Sequence, residues 1–272
     1  MNSAQKAERL RDLHKGPEIL VLPNAWDCAS AKIFERAGFP AIATTSAGVA
    51  FSLGYPDGQR ISLTDMVAEI KRIAHCVSVP VTADLEAGYG DVACTASALV
   101  RSGAVGLNLE DVDDAESGRL VELSQQVDRI RTIREVGNEA GVPLVINART
   151  DYYLAEIGDP AERFEATCHR LKQYREAGAD CVFVPGIADS ELIRRFIEVL
   201  RFPINVLVGP RTPPIRDLEA LGVARVSVGS GIMRSTMELT RRIAEELNTN
   251  STYQTMLEIS MPYAEANALF EP

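Results

Sequence analysis

The sequence predicts one (β/α)8 barrel, and three observations predict it. A unit recurs along the chain: a helical pattern, a Gly in a short turn, a few apolar or β-branched residues, then polar residues. The apolar runs lack clean alternation, as strands do when both faces of a parallel sheet are buried. The length of 272 residues suits a single barrel of this kind.

Taken in order, residues 1–15 read as a helix closing the base of the barrel. The first strand is Ile19 to Leu22. Ala37-Gly38-Phe39-Pro40 leads into Ala41 to Thr44, and a third strand runs from Val79 to Ala83. Ser102-Gly103 precedes Val105 to Leu109, and Ala140-Gly141-Val142-Pro143 precedes Leu144 to Ile146. Ala177-Gly178-Ala179-Asp180 introduces Cys181 to Val184; Ile204 to Val208 follows, and Leu221-Gly222 introduces Arg225 to Val228. Gly supplies the left-handed residue that ends a helix and turns the chain into a strand. Helical patterns fall at 27–38, 64–77, 92–102, 124–140, 160–177, 189–200, 214–221 and 231–247. Ser62-Leu63-Thr64-Asp65 and Asp159-Pro160 carry helix-start chemistry. An open doubly wound sheet would want a GxGxxG turn after the first strand, and Leu22-Pro23-Asn24-Ala25-Trp26-Asp27 is not one. Residues 1–250 are expected to form the barrel with its N-terminal helix, and 251–272 a helical tail. Met256, Leu257, Ile259, Leu269 and Phe270 make that tail apolar, which implies a covering partner subunit.

Composition excludes several classes of function. The net charge of −10, with no clustering of Lys and Arg, argues against a nucleic-acid partner. No apolar run approaches membrane-spanning length, and Met1 to Lys6 leads into a polar helix rather than a signal sequence. Cys28, Cys76, Cys94, Cys168 and Cys181 lack CxxC spacing and read as reduced thiols of a cytoplasmic protein. His14, His75 and His169 fall in helical segments, and no Lys or His stands at a strand end. That speaks against a Schiff-base aldolase, a Ser-His-Asp hydrolase and a three-His metal site.

In a (β/α)8 barrel the active site lies where the strands end. Asp84-Leu85-Glu86-Ala87-Gly88-Tyr89-Gly90 and Asn108-Leu109-Glu110-Asp111 each follow an apolar strand and carry carboxylates. Side chains alternate along a strand, so Asp84 and Glu86 are expected to share a face, as are Asn108 and Glu110. Acids crowded together raise one another's pKa unless a cation sits among them. A hard divalent ion on oxygen ligands resolves that repulsion, and Mg²⁺ needs only one or two direct carboxylates plus waters. The fifth strand adds Asn147 and Arg149. Arg149 matches a substrate carboxylate through a bidentate fork, or forms a salt bridge to Asp151 or Glu110. A 2-oxo acid suits such a mouth: its keto and carboxylate oxygens chelate the ion, which stabilises an enolate when a bond to C3 breaks. Gly229-Ser230-Gly231 opens a helix where many barrels bind phosphate, and the polar stretch 112–123 reads as a lid or a solvated connection.

These motifs, with Pro23-Asn24-Ala25-Trp26-Asp27, Thr45-Ser46-Ala47-Gly48-Val49-Ala50, Leu53-Gly54-Tyr55-Pro56-Asp57 and Asn147-Ala148-Arg149-Thr150-Asp151, resemble the isocitrate lyase/phosphoenolpyruvate mutase superfamily across nearly the whole chain. The nearest branch is the phosphonomutase-like one. The resemblance implies a Mg²⁺-dependent barrel, with Mn²⁺ as the alternative ion, and a last helix swapped between subunits in dimers or dimers of dimers. It implies Asp84 as direct metal ligand, with Asp57, Glu86 and Glu110 holding its waters. Arg149 resembles the carboxylate-binding arginine, and Thr45, Ser46 and Ala47 the cradle for the substrate oxyanion, with Trp26 and Asn147 completing the binding set. The stretch 112–123 lacks the Cys, Lys and His of the lyase lid and the Lys and Asn of the mutase lid, and Val184-Pro185 replaces the mutase His. Proton transfer is left to Tyr89, Glu110, a metal-bound water or a lid residue. The leading expectation is a lyase that breaks a C–C bond of a small 2-oxo acid or related dicarboxylate. The alternatives are C–P cleavage or phosphoryl transfer on the same site, and a barrel that binds a 2-oxo acid without turnover.

Overall fold

The computed structural model describes residues 1–114 and 119–271, the side chains of Asp113 and Asp114 excepted. Helix α1 (Ser3–Leu13) precedes strands β1 (Leu20–Leu22) and β2 (Asn24–Ala25). Then come α2 (Cys28–Arg36), β3 (Ile42–Thr44), α3 (Ser46–Ser52), α4 (Leu63–Cys76), β4 (Val81–Asp84), α5 (Val92–Ser102) and β5 (Gly106–Leu109). A hairpin of β6 (Val112–Asp114) and β7 (Arg119–Leu120) precedes α6 (Leu123–Glu139), β8 (Val145–Arg149) and α7 (Arg163–Glu176). The rest comprises β9 (Cys181–Phe183), α8 (Ser190–Leu200), β10 (Ile204–Leu207), α9 (Ile215–Leu221), β11 (Arg225–Ser227) and α10 (Gly231–Glu245). A π-helical turn (Glu246–Asn250), α11 (Gln254–Ile259) and α12 (Tyr263–Ala268) end the described chain.

The large sheet is parallel throughout and runs β1-β11-β10-β9-β8-β5-β4-β3-β2. Strands β1 and β2 are the two halves of one stave, separated by Pro23. Proline has no N–H to give to a ladder. The lower half therefore pairs with β11 and the upper half with β3, which closes eight staves into the predicted barrel. At the join the Asn24 side chain replaces missing ladder bonds. Its Nδ2 donates to Thr44 O at 2.8 Å, and its Oδ1 accepts from the Val228 and Gly229 amides at 2.9 Å each.

Helix α1 starts with a capping box at Asn2 and Gln5 and covers the bottom of the barrel, as predicted. Leu10 is fully buried there, and a Cβ on Gly106 would stand 2.9 Å from its Cδ2. Arg11 donates to Asp180 Oδ1 at 2.7 Å and to Pro143 O at 2.8 Å, tying the helix to the entrances of β9 and β8.

Two elements differ from expectation. Residues 46–52 form helix α3, capped by Thr45 Oγ1 accepting from the Gly48 amide. Small residues in Ser46-Ala47-Gly48-Val49-Ala50 give little helical periodicity to read. The stretch from 112 begins and ends as the antiparallel pair β6/β7, closed by the Val121 amide donating to Asp111 O at 2.8 Å; its centre, residues 115–118, lies outside the described residues. Helix α10 follows the eighth stave yet buries none of its residues within this chain. Leu247, Tyr253, Leu257, Ile259, Tyr263 and Phe270 beyond it are exposed, while Leu269 is buried and Arg36 donates to Ala268 O.

Candidate active site

The site grows out of one register row inside the barrel. Asp84 on β4, Asn108 on β5 and Asn147 on β8 are successive cross-strand partners, so their side chains emerge at one level. Asn147 Nδ2 donates to Asn108 Oδ1 at 2.8 Å, and the fully buried Arg225 donates to the same oxygen at 3.2 Å. Two donors on Oδ1 fix the orientation of the Asn108 amide. Its Nδ2 is then directed to Asp84 Oδ1, at a long 3.5 Å. Asp84 Oδ2 accepts from Ser46 Oγ at 2.7 Å and Ser46 N at 3.2 Å. Asp84 is thus aimed from two elements, α3 and β5, while Oδ1 keeps acceptor capacity.

The other acids sit one turn beyond the strands. Strand β4 ends at Asp84, and Glu86 adopts a left-handed backbone with φ of 49°. Strand alternation therefore does not carry Glu86 onto the face of Asp84. Its carboxylate instead accepts from Tyr89 Oη and from the Gln59 amide, at 2.7 Å each. Glu110 follows the end of β5, and its amide donates to Glu86 O at 2.8 Å. Its side chain turns to Arg149 Nη1. Arg149 also gives Nε and Nη2 to the two oxygens of Asp151, at 2.6 and 2.8 Å, and lies 5.7 Å from the centre of the Phe183 ring. Both salt-bridge partners expected of Arg149 are therefore present together. A guanidinium has five N–H donors, so two remain for a ligand.

Asp57, Asp84, Glu86, Glu110, Asp151 and Arg149 line one cavity of about 430 Å³, together with Thr45, Ser46 and Ala47. Three predicted residues are not on its wall. Trp26 is half-buried behind α3, its Cβ 3.0 Å from where a Gly48 side chain would begin. Asn147 is fully buried beneath Asn108, and Tyr89 stands behind Glu86 with its hydroxyl spent on that carboxylate. The cavity also takes in Asn24 and Ser230, from the strand-end motifs Pro23-Asn24-Ala25-Trp26-Asp27 and Gly229-Ser230-Gly231, and adds residues that the sequence did not single out as a site: Asp151, Leu154, Phe183 and Leu207. Asp151 was legible as an arginine partner. Leu154, Phe183 and Leu207 carry no sequence signal beyond being apolar.

Among the described residues, no three acids gather closely enough to ligate one ion directly. That is compatible with Asp84 as the one direct ligand the resemblance implies; what does not hold is the shared strand face expected of Asp84 and Glu86, and Glu86 and Glu110 are engaged by Tyr89, Gln59 and Arg149. The donor chemistry still fits a hard cation with one direct ligand. The acids of the wall present oxygen alone, which suits Mg²⁺ or Mn²⁺. Burial pushes Asp57 and Glu86 above the usual carboxylate range, and the nearby Asp84 charge adds to both. Glu110 is raised well above it, first by burial and then by Asp84, Asp151 and Glu86, with Arg149 opposing. A cation beside Asp84 relieves that shared repulsion.

A closed parallel barrel with carboxylates and an arginine gathered where its strands end has the layout of a (β/α)8 enzyme. The family model for phosphoenolpyruvate phosphomutase matches residues 10–248, and the chain belongs to that family, within a superfamily of lyases and mutases. An uncharacterized protein of Mycobacterium tuberculosis is 34% identical over 259 residues, 94% of each chain. The 2,3-dimethylmalate lyase of Eubacterium barkeri is 32% identical over 234 residues, 82% of this chain and 78% of its own. A crystal structure of 2,3-dimethylmalate lyase, described as a PEP mutase/isocitrate lyase superfamily member, superposes with a TM-score of 0.85 at 28% identity, covering 97% of this chain and 94% of that one. Among the described residues no helix is long and apolar enough to cross a membrane.

Proposed function

We propose that the protein is a Mg²⁺-dependent lyase that breaks a C–C bond at C3 of a small 2-oxo acid or related dicarboxylate. The observation that carries this reading is the placement of the Asp84 carboxylate and the Arg149 guanidinium on one cavity wall. Asp84 would hold the ion directly, with Asp57, Glu86 and Glu110 as acceptors for its waters; Mn²⁺ is the alternative. When bound, the ion supplies Lewis-acid polarisation of the substrate oxygens. Arg149, oriented by Asp151 and Glu110, offers its two remaining donors to the substrate carboxylate. The amide and hydroxyl of Ser46, at the start of α3, position Asp84 and border the oxyanion. The electron pair of the broken bond passes into the enolate of the 2-oxo acid fragment, the other fragment leaves as CO2 or as a carbonyl compound whose hydroxyl has given up its proton, and a proton returns to C3. Of the two side chains named among the expected proton carriers, which also include a metal-bound water and a lid residue, Glu110 is the better placed, since it faces the cavity while Tyr89 is screened by Glu86. The protein acts in the cytoplasm as a homo-oligomer, its helix α10 and tail 251–272 covered by a second subunit.

Titration of Mg²⁺ and oxalate, an enolate mimic, against wild type and Asp84→Ala tests the site. A loss of oxalate affinity of at least tenfold in the variant is expected; unchanged affinity removes the reading. A second chemistry, C–P cleavage on the same site, is favoured by the match to the phosphomutase family model. Phosphate release from phosphonopyruvate separates it from the first.

A further inference from the structure

The bore of a (β/α)8 barrel is filled by layers of bulky apolar side chains. Here one member of the filling is Arg225 on β11, fully buried and among the largest such side chains in the molecule. Strand β11 stands four staves from β5 in either direction around the ring, so the guanidinium crosses the bore to donate Nη2 to Asn108 Oδ1 at 3.2 Å. Among the described residues no carboxylate bonds to it, and its Nε and Nη1 have no hydrogen-bond partner. Burial pushes its pKa down to about 10, which leaves it charged at neutral pH. An unpaired buried charge costs stability that an apolar side chain of the same size would not. Packing therefore does not account for an arginine at this position.

What the arginine adds is a direction to the hydrogen bonds. Asn147 Nδ2 also donates to Asn108 Oδ1, at 2.8 Å, but Asn147 Oδ1 has no partner to hold it in place. Left to themselves, the two carboxamides can turn over together and keep their mutual bond, Asn147 Oδ1 then accepting from Asn108 Nδ2. In that arrangement Asn108 presents oxygen to Asp84 Oδ1, where its nitrogen now stands at 3.5 Å, and two acceptors repel. A guanidinium has donors only and cannot face an amide nitrogen, so Arg225 forbids the inverted pair. We infer that Arg225 is a positioning residue for the ion site: by fixing which end of Asn108 faces Asp84, it holds that carboxylate in its ion-binding orientation from beneath the cavity. This rests on the reading of Asp84 as the ligand of the ion.

The test is calorimetric titration of Mg²⁺ alone into the full-length protein and its variants. By charge alone, neutralising a cation near the site would tighten Mg²⁺ binding, so a loss has the opposite sign to the direct electrostatic effect. Arg225→Gln keeps an amide that can turn either end to Asn108, and is expected to bind Mg²⁺ at least about tenfold more weakly than wild type. Arg225→Lys keeps a donor-only group and is expected to stay within about threefold of wild type. Arg225→Met fills the bore with an apolar chain; it is expected to melt no lower than wild type and to show the same loss as Arg225→Gln. Adding Arg225→Gln to Asn108→Ala should cost no further affinity, since the arginine acts through that amide. Unchanged or tighter Mg²⁺ binding by Arg225→Gln or Arg225→Met overturns the inference, as do a Lys variant as weak as the Gln one and losses that add in the double variant. Any of these leaves the site reading standing while Asp84→Ala abolishes Mg²⁺ binding. Wild-type protein that binds no Mg²⁺, or binds it equally well after Asp84→Ala, overturns both.

Discussion

Asp111 provides the sharpest stability test, because its carboxylate is fully buried and accepts from three partners at once. Oδ2 accepts from Arg170 Nε and Tyr174 Oη, at 2.7 Å each, and Oδ1 accepts from the Asp151 amide at 3.0 Å. Arg170 also donates to Val121 O, so the pair fastens the base of the β6/β7 hairpin to α7. Replacing Asp111 by Ala leaves the Arg170 charge buried without its carboxylate, which typically costs about 3–5 kcal/mol. The orphaned Asp151 amide adds about 1–3 kcal/mol, partly the same loss counted again. A destabilisation of about 4 kcal/mol lowers Tm by on the order of 10 °C in a chain of this size. Circular dichroism melts at fixed protein concentration measure it. Asp111→Leu combined with Arg170→Met removes both charges and is expected to recover about half of the loss, since Tyr174 and the Asp151 amide stay unpaired. Oxalate affinity should fall in the single variant as well, because Asp151 orients Arg149. A Tm within about 2 °C of wild type would refute the assignment of Asp111 as the anchor of this network.

Other outcomes follow from groups away from the acids. Burial, and then the Arg225 charge, lower the pKa of His14 from 6.5 to about 4. The unfolded chain therefore binds the extra proton between those values, so stability is fully present above the unfolded pKa and falls as pH drops from 6.5 toward 4. The total is about 3 kcal/mol; urea titrations at pH 7 and pH 4.5 should show a His14→Gln variant losing less than wild type, and equal losses would contradict the assignment. Gly186 has φ of 92°, and a Cβ there meets the backbone of Tyr153 and Leu154. Gly186→Ala should cost about 2–3 kcal/mol and displace the Leu154 backbone, seen as a lower Tm in thermal melts. Light scattering after size exclusion should give a dimer or tetramer for the full chain, and removal of residues 251–272 should lower the mass or cause precipitation; a soluble monomer in both cases would end the proposal of a shared tail.

The barrel was legible because its signals are local. Each stave is an apolar run announced by a Gly turn, and each of the eight expected runs, from Ile19 to Leu22 through Arg225 to Val228, coincides with a strand of the sheet. The expectation weakened where the chain leaves the strands. Asp84 lies within β4 and emerges as alternation requires; Glu86 lies two residues on, in a left-handed turn, where alternation has no force. Trp26 and Asn147 stand in the right motifs, but their depth is decided by α3 and by the Asn108 amide, neither of which leaves a pattern in the sequence. The apolar members of the wall, Leu154, Phe183 and Leu207, were unreadable for a related reason. Leucine and phenylalanine at strand ends look like core until carboxylates are seen to line the same cavity.

The join at Pro23 has a consequence for how the sheet holds together. The continuity of the ring there passes through a carboxamide, whose one end gives and whose other end receives. Aspartate in that place has the shape but only receives, and leucine does neither, so Asn24→Asp is expected to loosen the ring without altering any strand. Deuterium uptake would then divide a single stave, Leu20 to Leu22 keeping the protection of β11 while Asn24, Ala25 and their β3 neighbours exchange sooner.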